Sequence, residues 1–199
     1  MNTDLILQLY QAQVIEFGTF KLKTGVLSPF YLDLRVLVSH PQVLRAVAGE
    51  FARMLQPLKF DRLAAIPYAA LPIGTAVALE MDRPLIYLRR EVKTYGTGRP
   101  IEGEYHPGEV VVVLDDLIAT GASKLEAISA LTEARLIVRD IAVLIDREQG
   151  GVENLQRKGY RVHAPISLRG MIGALQDAGK LGAEQYRDVL EFLRGAEPR

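Results

Sequence analysis

Between residues 41 and 58 the chain reads PQVLRAVAGEFARMLQPL, and Val43, Leu44, Val47, Ala48, Phe51 and Leu55 recur at a spacing that gathers them on one helical face. Proline at the start and again where the pattern stops marks both ends. Residues 3–17 place Leu5, Ile6, Leu9, Ala12 and Val14 at near-helical spacing, which predicts an amphipathic opening helix. The following segment, FKLKTGVLSPFYLDLR, mixes Gly25 and Pro29 with aromatic and β-prone residues and predicts a short extended hood. RLAAIPY then reads as a strand, LPIGTAVALEM as a helix and PLIYLRR as a strand, before a polar, glycine-rich stretch from Glu91 to Gly108. Beyond it the pattern gives a valine strand at 109–114, a helix at 122–135, a strand at 138–145, a helix at 150–158, extended chain at 160–166 and a last helix around 183–194. Strands alternating with helices of this length predict an α/β fold, with a mostly parallel central sheet flanked by helices. With no internal repeat or linker, residues 1–199 read as a single domain to which residues 1–40 contribute the hood.

One stretch does not fit plain packing. VVVVLDDLIATGAS, residues 110–123, sets two adjacent carboxylates after a run of β-branched residues, where they repel each other and lose hydration. In open parallel sheets ligands bind beyond the carboxyl ends of the strands, and Asp115 and Asp116 fall at that edge. The ATGAS turn can converge backbone N–H groups with the hydroxyls of Thr120 and Ser123 at a helix start whose dipole favours an anion. The competing reading is a tight strand-to-helix turn with Thr120 or Ser123 as N-cap and hydrated aspartates. Two acids followed by TGAS favour a phosphorylated sugar, with its hydroxyls on one side and its phosphate on the other. No lysine follows the glycine as a nucleoside-triphosphate loop requires, and Ile101 stands where a dinucleotide fingerprint starting at Gly96 needs glycine.

Composition narrows the classes. Lys plus Arg and Asp plus Glu each number 24, so the chain has no basic footprint for nucleic acid or an anionic membrane. It has no cysteine, which removes disulfides, thiolate nucleophiles and thiolate metal ligands and fits a reducing compartment. The N-terminus shows no basic leader and no apolar run approaches the ~20 residues that span a bilayer, so a soluble, cytoplasmic protein is expected. His40, His106 and His163 lie scattered without metal-ligand spacing, so no metal site is expected from the protein alone.

VVVVLDDLIATGAS resembles the phosphoribosyl pyrophosphate (PRPP) signature of type I phosphoribosyltransferases. FGTFKLKTGVLSPFYLDLR, IPYAALPIGTAVAL, YLRREVKTYGTGRPIEGEYHPGE and LIDREQGG are similar to the orotate phosphoribosyltransferases, particularly the form in bifunctional uridine monophosphate synthases. The resemblance implies the type I fold and transfer of ribose 5-phosphate from PRPP to orotate, giving orotidine 5′-monophosphate and pyrophosphate. It implies that Asp115 and Asp116 hold the ribose hydroxyls and stabilise a cationic transition state, while Leu117, Ile118, Ala119, Thr120, Gly121, Ala122 and Ser123 form the rest of the PRPP cradle.

Arg89, Arg90, Lys93 and Tyr95 would serve the pyrophosphate, with Lys93 catalytic in a mobile loop over 90–108 that closes on the site, often of a neighbouring subunit in a homodimer. Lys23 matches a lysine beside both substrates, and Tyr31 falls against the pyrimidine. Arg147 matches the arginine that grips orotate's carboxylate, its alternative being a surface ion pair with Asp146 or Glu148. At Ala119 a hydroxyl often touches the base in the family, so here the contact rests on backbone. Mg²⁺ would arrive with the pyrophosphate. Two other readings stay open: a type I transferase for another base, and a regulator that binds PRPP or a nucleotide without turnover.

Overall fold

The computed structural model describes residues 2–21, 25–90 and 100–195. Helix α1 (Thr3–Gln11) is closed by Asn2, whose side chain accepts from the Leu5 N–H, and it buries Leu5, Ile6 and Leu9. It stops earlier than the apolar period suggests. Gln13 turns at φ 58°, and the chain enters β1 (Ile15–Lys21), which pairs antiparallel with β2 (Leu27–Leu32) as a two-stranded hood. A 3₁₀ turn (Leu34–Ser39) leads into α2 (Pro41–Leu55).

The main sheet then builds up from β3 (Arg62–Ala65), α3 (Ala70–Met81), β4 (Leu85–Leu88), β5 (Ile101–Glu102), β6 (Val110–Ile118), α4 (Ala122–Glu133), β7 (Ile137–Asp146), α5 (Gly151–Arg157), β8 (Arg161–His163) and β9 (Ile166–Ser167). Helices α6 (Leu168–Asp177) and α7 (Ala183–Gly195) complete the described chain. The strand order is β5-β4-β3-β6-β7-β8, with β9 also on β7, and every pairing except β4–β5 is parallel.

Alternation along the central strands sorts the core into two layers. Val112, Leu114, Ala142 and Leu144 face the layer that includes residues of α1, α2, α3, α6 and α7, whereas Val111, Val113, Ile141 and Val143 face the layer that includes residues of α4 and α5. Both faces are dry, which is why these strands read as unbroken valine and isoleucine runs. The first layer also contains Ile15, Phe30 and Leu34, so the hood is continuous with the main core. At the β7–β8 edge the buried Asp140 binds Arg161 through both oxygens (2.8 and 2.7 Å) and His163 Nε2 (2.8 Å), fastening the last long pairing.

Several expected boundaries shift. The valine strand does not end before the acids but runs through them to Ile118, paired with β7 as far as Asp146. The polar stretch expected from Glu91 to Gly108 is not all loop, because Ile101, 1% exposed, and Glu102 pair with β4 as β5. Helix α6 lies where no helix is expected from the sequence. Among the described residues no helix is long and apolar enough to cross a membrane.

Candidate functional site

From β3 the chain steps to β4 on one side and later returns to β6 on the other, so the carboxyl ends of β3 and β6 diverge around a crevice. A cavity of about 420 Å³ occupies it, lined by Pro67 and Tyr68 after β3, Asp115 and Asp116 on β6, and Ser123 and Lys124 on α4. Tyr31, Arg35, Ala69 and Arg90 close its other sides. The Pro67–Tyr68 peptide is cis.

The two acids occupy different environments within the strand. Asp115 is 7% exposed and meets Lys124 Nζ at 2.6 Å through Oδ2, while its Oδ1 accepts the Asp116 N–H at 2.9 Å. Lys124 Nζ also donates to the Leu117 carbonyl at 2.5 Å. Asp116 accepts the Leu117 N–H at 2.8 Å. Burial, then the adjacent charge of Asp115, pushes the Asp116 carboxyl up to about 7. The cation that two neighbouring anions demand is therefore supplied from within the chain, by a residue that the sequence pattern did not single out.

After Ile118 the backbone turns through Ala119 and the exposed Thr120 to Gly121, which at φ 85° is the N-cap of α4. Neither Thr120 nor Ser123 caps the helix, since the cap makes no side-chain hydrogen bond. The N–H groups of Ala122 and Ser123 therefore meet no side-chain cap at an exposed corner formed by Thr120, Ala122 and Ser123, which suits an anion. The turn is braced from behind. Asn154 Nδ2 donates to the Thr120 carbonyl at 3.3 Å, and Gly151 lies so close that a Cβ there would stand 2.4 Å from the Ala119 carbonyl oxygen and 2.7 Å from Ile118. Gly151, the second glycine of DREQGG, thus shapes the ATGAS turn across the sheet edge.

The expected basic residues separate. Arg90 lines the crevice and lies 5.6 Å from the centre of the Tyr68 ring. Arg89 instead pairs with Glu102 of β5 and lines a neighbouring cavity of about 470 Å³ that it shares with Arg90 and Ser123. Tyr31 stacks on Phe20 with centroids 5.6 Å apart, and its hydroxyl lies 3.2 Å from Arg35 Nη2. Arg35 also grips both oxygens of Asp33 (2.7 and 2.8 Å), which holds that carboxyl below its ordinary range. Arg35 stands in FYLDLR two residues after Asp33, a spacing that offers this pairing in the sequence itself.

Arg147 follows β7, where its N–H donates to the Ile118 carbonyl at 2.9 Å. Its guanidinium lies 5.9 Å from the Phe30 ring centre, and its buried Nε has no hydrogen-bond partner. The alternative ion pair is not made: Asp146 accepts the Glu148 N–H, and Glu148 binds Arg169. Burial alone pulls the Arg147 pKa down. Lys23, Lys93 and Tyr95 lie outside the described residues.

A second deep depression, about 430 Å³ between the hood and α7, presents Asp188 and Glu191. Among the described residues no lysine or arginine lines it, whereas Arg35, Arg90 and Lys124 stand beside the acids of the strand-end crevice, which suits the crevice better to an anion.

A family model described as "Phosphoribosyl transferase domain" matches residues 36–162, which include the crevice acids, the ATGAS turn and Arg147. The chain is 45% identical over 183 residues to the bifunctional enzyme PyrF/PyrE of Nostoc sp., covering 92% of this chain and 38% of that one. It is 37% identical to the orotate phosphoribosyltransferase of Pyrobaculum islandicum, covering 95% of this chain and 97% of that one. Among solved structures, Leishmania donovani UMP synthase superposes with a TM-score of 0.90 at 42% identity, over 97% of this chain and 42% of that one. The chain thus spans about two fifths of the length of the bifunctional relatives and nearly all of the shorter one.

Proposed function

Because this chain belongs to the phosphoribosyl transferase family, and to the orotate phosphoribosyltransferases within it, we propose that it transfers ribose 5-phosphate from PRPP to orotate in the synthesis of UMP. The carrying observation is the crevice itself, where an acid pair, an uncapped helix N-terminus and a cationic wall face one volume of about 420 Å³. In the reaction the C1′–oxygen bond to pyrophosphate breaks, its electron pair leaving with that oxygen, while N1 of orotate gives up its proton to water or to the departing pyrophosphate and forms the new bond to C1′. Positive charge builds on the ribose ring between the two events.

Asp115 and Asp116 accept from the ribose hydroxyls and stabilise that charge, and the turn at 119–123 receives the 5′-phosphate. Arg90 faces the pyrophosphate, and Lys93 stabilises it as it departs. The Arg147 guanidinium takes the orotate carboxylate, and its unpartnered Nε beside Phe30 supports that role. Arg89 pairs with Glu102 and would reach pyrophosphate only by exchanging partners.

Among the described residues no group of three or more His, Cys, Asp or Glu could hold a metal ion. With Asp115 held by Lys124, the crevice can add few oxygens to a cation. That suits Mg²⁺ bound to pyrophosphate and water, where it would offset the charge of the leaving group. A homodimer is also proposed, on the resemblance of the chain to the orotate phosphoribosyltransferases.

The deciding experiment mixes the protein with Mg²⁺, PRPP and a panel of bases while following ultraviolet absorbance and pyrophosphate release. Turnover confined to orotate supports the assignment. Conversion of another base redirects it within the family, and PRPP binding without release of pyrophosphate makes the chain a binder.

A further inference from the structure

The proposed reaction leaves a buried cation of the crevice without a role. Lys124 sits in the first turn of α4 with its side chain 5% exposed, and its Nζ reaches Asp115 Oδ2 at 2.6 Å, the Leu117 carbonyl at 2.5 Å and Ser123 Oγ at 3.4 Å. An ammonium has three protons to donate, and three acceptors surround it. Turning toward a phosphate would strand the Asp115 carboxylate beside Asp116 in a nearly dry place, so this lysine is poorly suited to bind substrate directly. It is well suited to hold other groups still.

Those three acceptors belong to three working parts: the first acid, the strand end two residues beyond it, and a hydroxyl of the anion-binding turn. Asp115 has one oxygen on Lys124 and the other on the Asp116 N–H, which fixes its rotamer and still leaves lone pairs for hydroxyl donors. The tether also spans from β6 to the start of α4, across the turn that would cradle phosphate.

Resting on the phosphoribosyl-transfer reading, we propose that Lys124 is a positioning residue that holds Asp115 aimed while tying it to the phosphate turn. The hydroxyl end and the phosphate end of PRPP are thereby recognised by one rigid unit. Orotate, bound through Arg147 on the neighbouring strand end, does not depend on that tether.

The test compares the wild type with Lys124→Met, which keeps the chain length without charge, and Lys124→Gln, which keeps a donor without charge. Michaelis constants for PRPP and orotate, kcat and thermal midpoints are measured for all three. Lys124→Met should raise KM for PRPP by about tenfold or more, the scale on which breaking one buried charge contact acts, and leave KM for orotate within about twofold. Lys124→Gln should fall between, with PRPP weakened by about threefold or more.

A lowered thermal midpoint with both Michaelis constants unchanged would make Lys124 merely structural and overturn the proposal, as would equal weakening of both substrates. Should Lys124→Met not fold, Lys124→Gln decides by the same ratio of the two constants. A wild-type protein that neither binds PRPP nor turns over orotate removes the transferase reading and this inference together. A working wild type with unaltered variants removes the inference alone.

Discussion

Arg147 keeps a buried Nε without a partner, above an aromatic ring and away from any carboxylate of its own strand end. A buried guanidinium in that state carries a desolvation cost that a carboxylate ligand would relieve, so much of its worth should show only when orotate binds. Arg147→Ala is expected to raise KM for orotate by about tenfold to a hundredfold while PRPP binding holds, read from initial rates at saturating PRPP. Arg147→Lys should rescue little, because an ammonium lacks the planar fork.

Asp116 makes the opposite kind of prediction, about pH. Its folded carboxyl is raised from 3.8 to about 7, so between those values the folded state binds the proton more tightly than the unfolded chain. Its contribution to stability is therefore present below the unfolded pKa and is lost as pH rises through about 7. The thermal midpoint of the unliganded protein should decline across that window, and Asp116→Asn should flatten the decline. An Asp116→Asn profile parallel to the wild type would remove Asp116 as the cause.

At this scale the acids were legible because charge beside valine is costly, and the missing cation could be inferred in kind. Its identity could not, since a lysine after TGAS carries the same local signal as any solvated helix residue.

The elements of the site depend on one another across the sheet edge. The ATGAS turn is shaped less by its own sequence than by Gly151, whose missing Cβ admits the Ala119 carbonyl, and by the reach of Asn154 to the Thr120 carbonyl. Gly151→Ala must displace backbone, so it should destabilise the fold by ~1–3 kcal/mol and raise KM for PRPP more than that for orotate. Denaturant melts and steady-state kinetics check both parts; a neutral substitution would show that the turn yields without cost.

Such dependence explains what the pattern of residues could and could not give. The helix at 41–55 and the valine strand followed from period alone, because each buries a single continuous face or both faces. The strand's passage through Asp115 and Asp116 was hidden, since a lysine on another element makes those acids tolerable inside a sheet. Helix α6 does carry Leu168, Met171, Ile172 and Leu175 at helical spacing, all buried, but Gly170 and Gly173 within it weaken the local preference. Helix α1 stops short because Gln13 turns at φ 58° into a strand, and Val14 keeps the helical spacing only by coincidence of burial.

Over the whole molecule, the hood, expected from sequence as part of a single domain, shares a core layer with the sheet and the last helices. Phe30 of β2 is 1% exposed, meets Phe192 of α7 edge-on at 5.8 Å between centroids, and lies beneath the Arg147 guanidinium. One ring thus joins the hood, the last described helix and Arg147, the residue proposed to take the orotate carboxylate. If that continuity is energetic and not only geometric, the hood cannot melt ahead of the sheet, and calorimetry should give a single transition whose calorimetric and van't Hoff enthalpies agree. Phe30→Ala should then lower the stability of the entire chain by ~3–5 kcal/mol without splitting the transition. It should also weaken orotate at temperatures where the variant is folded, because the platform under Arg147 is gone. An early, separate hood transition in either protein would make the hood an independent unit and confine the effect of Phe30 to local packing.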